Sequence, residues 1–410
     1  MTFIEGGICA PQGFTANAVR SGIKKSRTKD DTALIYSEKL CTAAGVFTKN
    51  KVQAEPVKLT RIRVATHRAQ AIIVNSGNAN ACTGKQGMQV AIRMTKAAQN
   101  ALNKSGKNVA EDDVLVCSTG VIGQQLPVET VESHADELVK GLSKIGNVKA
   151  REAIMTTDTK FKECALETII AGKTVRLGTM AKGSGMIHIN MGTMLGFVTT
   201  DCAISGEMLQ EALSESADAT YNCVSVDGDT STNDTLLILA NGMAENALIT
   251  KKNADYYAFL KALNALNIQM AKKIAADGEG AEHLLECKVT GAKDVGTARA
   301  LAKSVISSTL VKAAFFGKDA NWGRILCALG YSGEFFTPET TSVSFTNSLG
   351  TIKVFDCGVP LNFDEEKAKI ILTETEVGIL VELQDGEAEG TAWGCDLTYE
   401  YVKINGDYRT

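Results

Sequence analysis

The sequence predicts a mixed α/β protein, and three observations carry that reading. Short apolar runs bounded by turn residues alternate with stretches of helical periodicity. The last eighty or so residues change to strand-like runs broken by Gly and Asp. The chain has 410 residues with 44% hydrophobic and 22% charged content, which is globular in composition and long for one hydrophobic core.

In chain order, Ala71-Ile72-Ile73-Val74 reads as a buried strand ending in the turn-rich Asn75-Ser76-Gly77-Asn78, and helical spacing follows over 88–102. Val114-Leu115-Val116-Cys117 is again a buried strand, closing in Ser118-Thr119-Gly120. Helical patterns recur over 207–217, 256–275 and 298–314, with small and apolar residues three and four apart. Toward the C-terminus, 343–345, 352–355, 370–373, 379–383 and 397–402 read as strands. With five prolines and no low-complexity linker, boundaries fall near residues 205 and 283. The expected domains are thus 1–204, a middle segment 205–282, and 283–410.

A formal charge of −4 supplies no electrostatic attraction to nucleic acid or to an anionic membrane. Neither a long apolar span nor a signal-like start is present, so the expected compartment is the cytoplasm. The eleven cysteines are scattered without C-x-x-C spacing and read as reduced, mostly buried residues. The four histidines lie far apart, and no zinc spacing or G-x-S-x-G elbow occurs, so no metal site is expected.

The chemistry-bearing stretch is Lys182-Gly183-Ser184-Gly185-Met186-Ile187-His188-Ile189-Asn190-Met191-Gly192-Thr193-Met194-Leu195. A threonine hydroxyl is a poor nucleophile unless a base sits beside it. A freed α-amino group, with a pKa of about 7.7–8.0, can be that base. Freeing it requires breaking the bond before Thr193, and Gly192 offers no Cβ to block attack on its carbonyl. Read without further context, 193–198 is more readily a buried strand after a loop than a nucleophile segment.

This stretch, with the trailing Thr199-Thr200-Asp201, resembles the self-cleavage segment of the ornithine acetyltransferase family of arginine biosynthesis. Ile189 stands where the family has proline, and Gly192 where it has alanine. Further segments resemble the family from end to end: Gly6-Gly7-Ile8-Cys9-Ala10-Pro11-Gln12-Gly13-Phe14, Val74-Asn75-Ser76-Gly77-Asn78-Ala79-Asn80-Ala81-Cys82-Thr83-Gly84, Ser225-Val226-Asp227-Gly228-Asp229-Thr230-Ser231-Thr232-Asn233-Asp234-Thr235, Asp319-Ala320-Asn321-Trp322-Gly323-Arg324 and the terminal Asn405-Gly406-Asp407-Tyr408-Arg409-Thr410.

The resemblance implies a layered αββα sandwich, reminiscent of N-terminal-nucleophile hydrolases but differently connected, plus a C-terminal α/β domain. It implies self-cleavage between Gly192 and Thr193, giving chains 1–192 and 193–410 that stay associated, commonly as a heterotetramer. Thr193 would be the nucleophile, with Thr119 and Gly120 forming the oxyanion hole. Thr156, Lys182, Thr193, Glu279, Asn405 and Thr410 would bind substrate. The implied reaction moves the acetyl group of N-acetylornithine to glutamate through an acetyl-threonine ester, without a metal or organic cofactor. Acetyl-CoA would enter as a substrate only in a bifunctional form. An aminopeptidase or amidase on a related self-cleaving fold, and a non-catalytic amino-acid-binding protein, are the alternatives.

Taken alone, several of these residues have plainer readings. Met155-Thr156-Thr157-Asp158 suits a turn or helix cap, and Lys182 a surface lysine. Asp277-Gly278-Glu279 suits a helix C-terminus with a solvated glutamate. Ala281-Glu282-His283 departs from the family's usual continuation, and Trp322-Gly323-Arg324 reads as a structural corner.

Overall fold

A computed structural model of the chain describes residues 1–188 and 194–407. Among these residues the strands form two sheets. The first has nine strands, in the order Thr2–Ile4, Lys162–Ile170, Lys173–Lys182, Leu195–Thr200, Thr235–Ala240, Thr32–Phe47, Arg68–Asn78 and Val114–Val121, with Phe14–Val19 paired to Thr32–Phe47 off this path.

The sixteen-residue strand Thr32–Phe47 makes this sheet a sandwich. Its first half pairs with Phe14–Val19 and Arg68–Asn78, and its second half pairs with Thr235–Ala240. Between them the register shifts, and Glu38, Lys39 and Leu40 are exposed, so the strand turns a corner there. Alternation then divides the side chains by face. Ile35, Ile72 and Leu115 from one half meet Met180, Phe197 and Leu237 from the other in a shared core. The outer face of the first half, with Leu34, Ile73 and Val116, packs on helices Gly84–Lys104 and Val128–Lys140 through Met94, Ala98 and Leu138. The outer face of the second half, with Leu177, Val198 and Ile238, packs on helices Gly206–Ala219 and Ala254–Ala276 through Leu209, Leu213, Leu263 and Leu266. The result is helix, sheet, sheet, helix.

The second sheet has eight strands: Val359–Pro360, Gly350–Asp356, Ser342–Asn347, Glu376–Glu382, Leu284–Ala292, Ala388–Cys395, Val224–Thr230 and Ile187–His188. Helix Ala254–Ala276 touches strands of both sheets and joins them in one apolar core. The strand Ile187–His188 is antiparallel to Val224–Thr230, so the stretch after Lys182 leaves the first sheet and enters the second.

Three sequence expectations are corrected. The segment 370–373 is the end of helix Glu365–Thr373: Asp364 caps it through Lys367 N, two glutamates occupy its first turn, and Ala368, Ile371 and Leu372 face inward at helical spacing. The β-branched pair at its end suggested a strand because the run was read without its cap. The segment 397–402 enters helix Tyr399–Asp407, whose Tyr399 and Val402 are exposed. The expected helix over 298–314 is two helices, Val295–Ser307 and Thr309–Phe316, because Ser308 adopts extended backbone and caps the second through Val311 N.

Candidate active site

Three neighbouring strand ends of the first sheet meet at one rim. Lys182 pairs with Leu195, and Leu195 pairs with Thr235. Met194, the residue after Thr193, therefore lies level with Asp234, and Thr235 N donates to Met194 O at 3.0 Å. Gly192, Thr193 and Thr410 lie outside the described residues. The remaining predicted residues, Thr119, Gly120, Thr156, Lys182, Glu279 and Asn405, line one cleft together with Met194, Asn233 and Asp234.

Thr119 and Gly120 end the strand Val114–Val121, which runs parallel to Arg68–Asn78 with Gly77 opposite Gly120. Gly120 has φ +131°, and a Cβ there would sit 2.3 Å from the Gly77 carbonyl carbon, so only glycine fits. The turn is fixed by neutral hydrogen bonds. Asn233 Nδ2 donates to Ala79 O at 2.6 Å and to Ser118 O at 2.8 Å. Ser118 Oγ donates to Asn75 Oδ1 at 2.6 Å, and Ala79 N donates to Val121 O at 3.0 Å. Through the planar peptide, holding Ser118 O also orients the Thr119 N–H.

The opposite wall is ionic. Lys162, 1% exposed, donates to Asp158 Oδ1 at 2.7 Å and to Asp277 Oδ2 at 2.5 Å. Asp158 also accepts from Gly183 N at 2.8 Å and Thr156 N at 3.0 Å, while Asp277 accepts from Thr159 N and Lys160 N. One buried triad thus ties together the Thr156 turn, the glycine-rich stretch after Lys182 and the helix end before Glu279. Burial pushes the Asp158 carboxyl up, but the Lys182 and Lys162 ammonium groups outweigh it and hold it well below the usual carboxylate range. Burial pushes the Lys182 ammonium down, opposed by Asp158. Lys182 Nζ reaches Thr119 Oγ1 at 3.5 Å, which links the two walls.

Glu279 is not a solvated helix-end residue. Helix Ala254–Ala276 stops at Asp277, Glu279 N donates to Ser184 O at 3.1 Å, and Glu279 is 7% exposed. Its carboxylate lies against Gly185, where a Cβ would come within 2.4 Å of it. Asn405 Nδ2 donates to Glu279 Oε2 at 2.8 Å. The last helix reaches this point because Gly280, at φ +71°, leaves room for Tyr401 N, and Thr398 Oγ1 donates to Gly280 O at 2.7 Å.

Sequence reasoning assigned no role to Lys162, Asp277, Asn233 or Asp234. The Asp158/Lys162 pair at i,i+4 was the available signal for the triad. Asp234 is 2% exposed, and its Oδ2 has no hydrogen-bond partner among the described residues. Burial drives its carboxyl well above the ordinary range against the opposing Lys182 charge. Asp227 accepts from Met186 N at 2.7 Å and Ile187 N at 2.8 Å. His283, in the departing segment, is buried and its Nδ1 lies 2.9 Å from Asp396 Oδ2. Trp322 is structural and stacks on Phe355 with ring centroids 5.1 Å apart.

Comparison with known proteins gives a consistent result. The chain is 51% identical over 411 residues to the arginine biosynthesis bifunctional protein ArgJ of Symbiobacterium thermophilum, covering 100% of both chains. It is 48% identical over 410 residues to the protein of the same name from Caldanaerobacter subterraneus, again covering 100% of both. A solved structure of arginine biosynthesis bifunctional protein argJ from Bacillus halodurans is 46% identical, covering 52% of this chain and 98% of that one, with a TM-score of 0.49. The ArgJ family model matches residues 15–410, and the chain belongs to the ArgJ family.

Proposed function

We propose that this protein is an acyltransferase of arginine biosynthesis that moves the acetyl group of N-acetylornithine to glutamate through an ester on Thr193. The observation that carries this reading is the convergence of Thr119, Gly120, Lys182, Glu279 and Asn405 on one cleft beside Met194, the residue that follows Thr193. Family membership with relatives named for arginine biosynthesis supports it.

In this reading the chain first cleaves between Gly192 and Thr193, and both pieces remain in the fold, paired as a heterotetramer. The Thr193 hydroxyl attacks the acetyl carbonyl, and its own α-amine takes the hydroxyl proton. Fixed donors at the Thr119–Gly120 turn stabilise the oxyanion, as preorganised dipoles do in a site closed to water. The C–N bond breaks, the proton passes to the departing amine, and ornithine leaves. The glutamate amine then attacks the ester carbonyl, the C–O bond breaks, and the proton returns to the threonine oxygen. Lys182 suits an amino-acid carboxylate, and Glu279 suits the side-chain ammonium of ornithine, which would bridge the ionic wall. The sequence needs no metal or organic cofactor.

Intact-mass measurement under denaturing conditions tests the first step: two fragments meeting at 192/193 are expected, and a lasting single chain rejects it. Turnover of acetylornithine with and without glutamate tests the second. Glutamate-independent deacetylation would place the protein with amidases. A second activity, acetylation of glutamate from acetyl-CoA, is favoured by the word bifunctional in the relatives' names.

A further inference from the structure

Beside the cleft lies a second hollow, with Gly77 on its wall. It shares Thr156 with the cleft and is bordered by Gly77, Lys24, Ser26 and Lys29. The loop that supplies the lysines is built for its position. The Asp31 carboxylate, fully buried, accepts from the main-chain N–H groups of Ser21, Gly22, Ile23 and Lys24 at 2.8–3.1 Å. At the tip, Ser26 Oγ accepts from Thr28 N and Lys29 N at 3.3 and 3.2 Å.

The loop sequence Lys24-Lys25-Ser26-Arg27-Thr28-Lys29 holds four cations in six residues, in a chain whose net charge is −4. Two carboxylates, Asp30 and Glu152, also border the hollow. Lys24 is half-buried beside Gly77, and the partners of its ammonium are neutral carbonyls, Asp30 O at 3.0 Å and Ala153 O at 2.9 Å. Burial pushes it down to about 8, with Asp31 opposing. A cation held in a wall on neutral acceptors keeps an N–H and a positive field for an arriving anion.

A free amino acid and its N-acetyl derivative fit within one cleft and need no anion site beyond its rim. An acyl group carried on a phosphorylated nucleotide thioester does, because its tail must leave the cleft. We propose that this hollow, edged by the cationic loop 24–29, binds the phosphate-bearing tail of a CoA-class acyl thioester, whose acyl end passes Thr156 to the Thr119–Gly120 turn. The inference rests on the second activity given above. In that step the acyl–sulfur bond breaks, an acyl–oxygen bond forms on the nucleophile, and the thiol leaves with the hydroxyl proton. The amine of the acceptor amino acid then takes the acyl group as before.

The test compares the wild type with Lys29→Glu and with Arg27→Glu/Lys29→Glu, all exposed positions on the loop surface. Glutamate acetylation from acetyl-CoA and acetyl exchange from acetylornithine are measured in parallel. The expected result is a KM for acetyl-CoA raised about tenfold or more by charge reversal, a factor worth about 1.4 kcal/mol, with acetylornithine exchange within about twofold of wild type. Inorganic pyrophosphate should compete with acetyl-CoA in the wild type and lose that effect in both variants. An unchanged KM for acetyl-CoA overturns the assignment, as does pyrophosphate competition that survives charge reversal. Calorimetry with CoA decides the remaining cases. A wild type that neither binds CoA nor uses acetyl-CoA sinks the subsite and the second activity together, while continued acetylornithine exchange leaves the main reading standing. Pyrophosphate binding without CoA binding makes the hollow a free-phosphate site and also overturns the proposal.

Discussion

The two walls of the cleft are made of different materials. The Thr119–Gly120 wall is backbone, shaped by a glycine pair at van der Waals limit and held by amide and hydroxyl hydrogen bonds. The facing wall is charge, with Lys182, Asp158, Lys162 and Asp277 buried in succession. A backbone wall offers fixed dipoles at a defined place, which suits an oxyanion that exists only during reaction. A charged wall offers net attraction, which suits a substrate carboxylate or ammonium present throughout. Its ions must balance one another when the site is empty, which accounts for the triad.

Substitutions that separate the two walls test this contrast. The largest effect is expected from Gly120→Ala, whose Cβ would meet the Gly77 carbonyl carbon at 2.3 Å. Displacing this turn should lower kcat by about 1000-fold, in line with losing oxyanion donors, with KM little changed. A change confined to KM would show that the backbone wall binds substrate instead. Next, Lys162→Met leaves Asp158 and Asp277 facing each other without their shared cation. Removing one partner of a buried ionic group costs about 3–5 kcal/mol, measurable by urea unfolding, and a loss under about 1 kcal/mol would mean the triad relaxes freely.

The same triad sets an acid dependence. Asp158 is held below its unfolded value of about 3.9, so its contribution to stability is complete above that pH and is lost as pH falls through the native value. The Lys162→Met variant should therefore show a shallower loss of stability below about pH 4 than wild type.

Lys182→Met should lower kcat/KM for acetylornithine by about 100-fold, within the range for truncating a buried charge contact, with kcat affected less. Asp234 behaves in the opposite sense to Asp158. Its native value is raised, so its favourable contribution is complete below about pH 3.9 and is lost as pH rises through the native value. Asp234→Asn cannot ionise, so near pH 8 it should be more stable than wild type, by about 1 kcal/mol or more. Equal pH profiles for the two proteins would refute that. The smallest effect belongs to Asn405→Ala, which removes one hydrogen bond to Glu279 at an exposed helix position. A KM increase of about threefold is expected, and no change would show that the last helix contributes shape alone.

Elements with internal periodicity were legible in the sequence. The helices over 88–102, 207–217 and 256–275 and the strands around 71–74 and 114–117 stand where pattern placed them, since a half-buried helix or a buried strand writes its period into the chain. The errors fall where local chemistry decides: the Asp364 cap made a helix of a β-branched run, and Ser308 divided one helical pattern into two. Among the residues that line the cleft, Thr119, Lys182 and Glu279 were singled out through motifs and not through any local signature of burial. Lys162 and Asp234 were missed because a lysine or aspartate gives no sign in sequence of whether water surrounds it.

By itself, then, the sequence determined the α/β class, the family and the order of the chemical segments, because periodicity and motif spacing are properties of neighbouring residues. Tertiary structure alone decided that residue 120 must pass against residue 77, that a lysine at 162 would neutralise aspartates at 158 and 277, and that Asp234 would be buried level with Met194. Those relations join residues far apart in the chain, and their energies depend on the exclusion of water, which only the folded packing imposes.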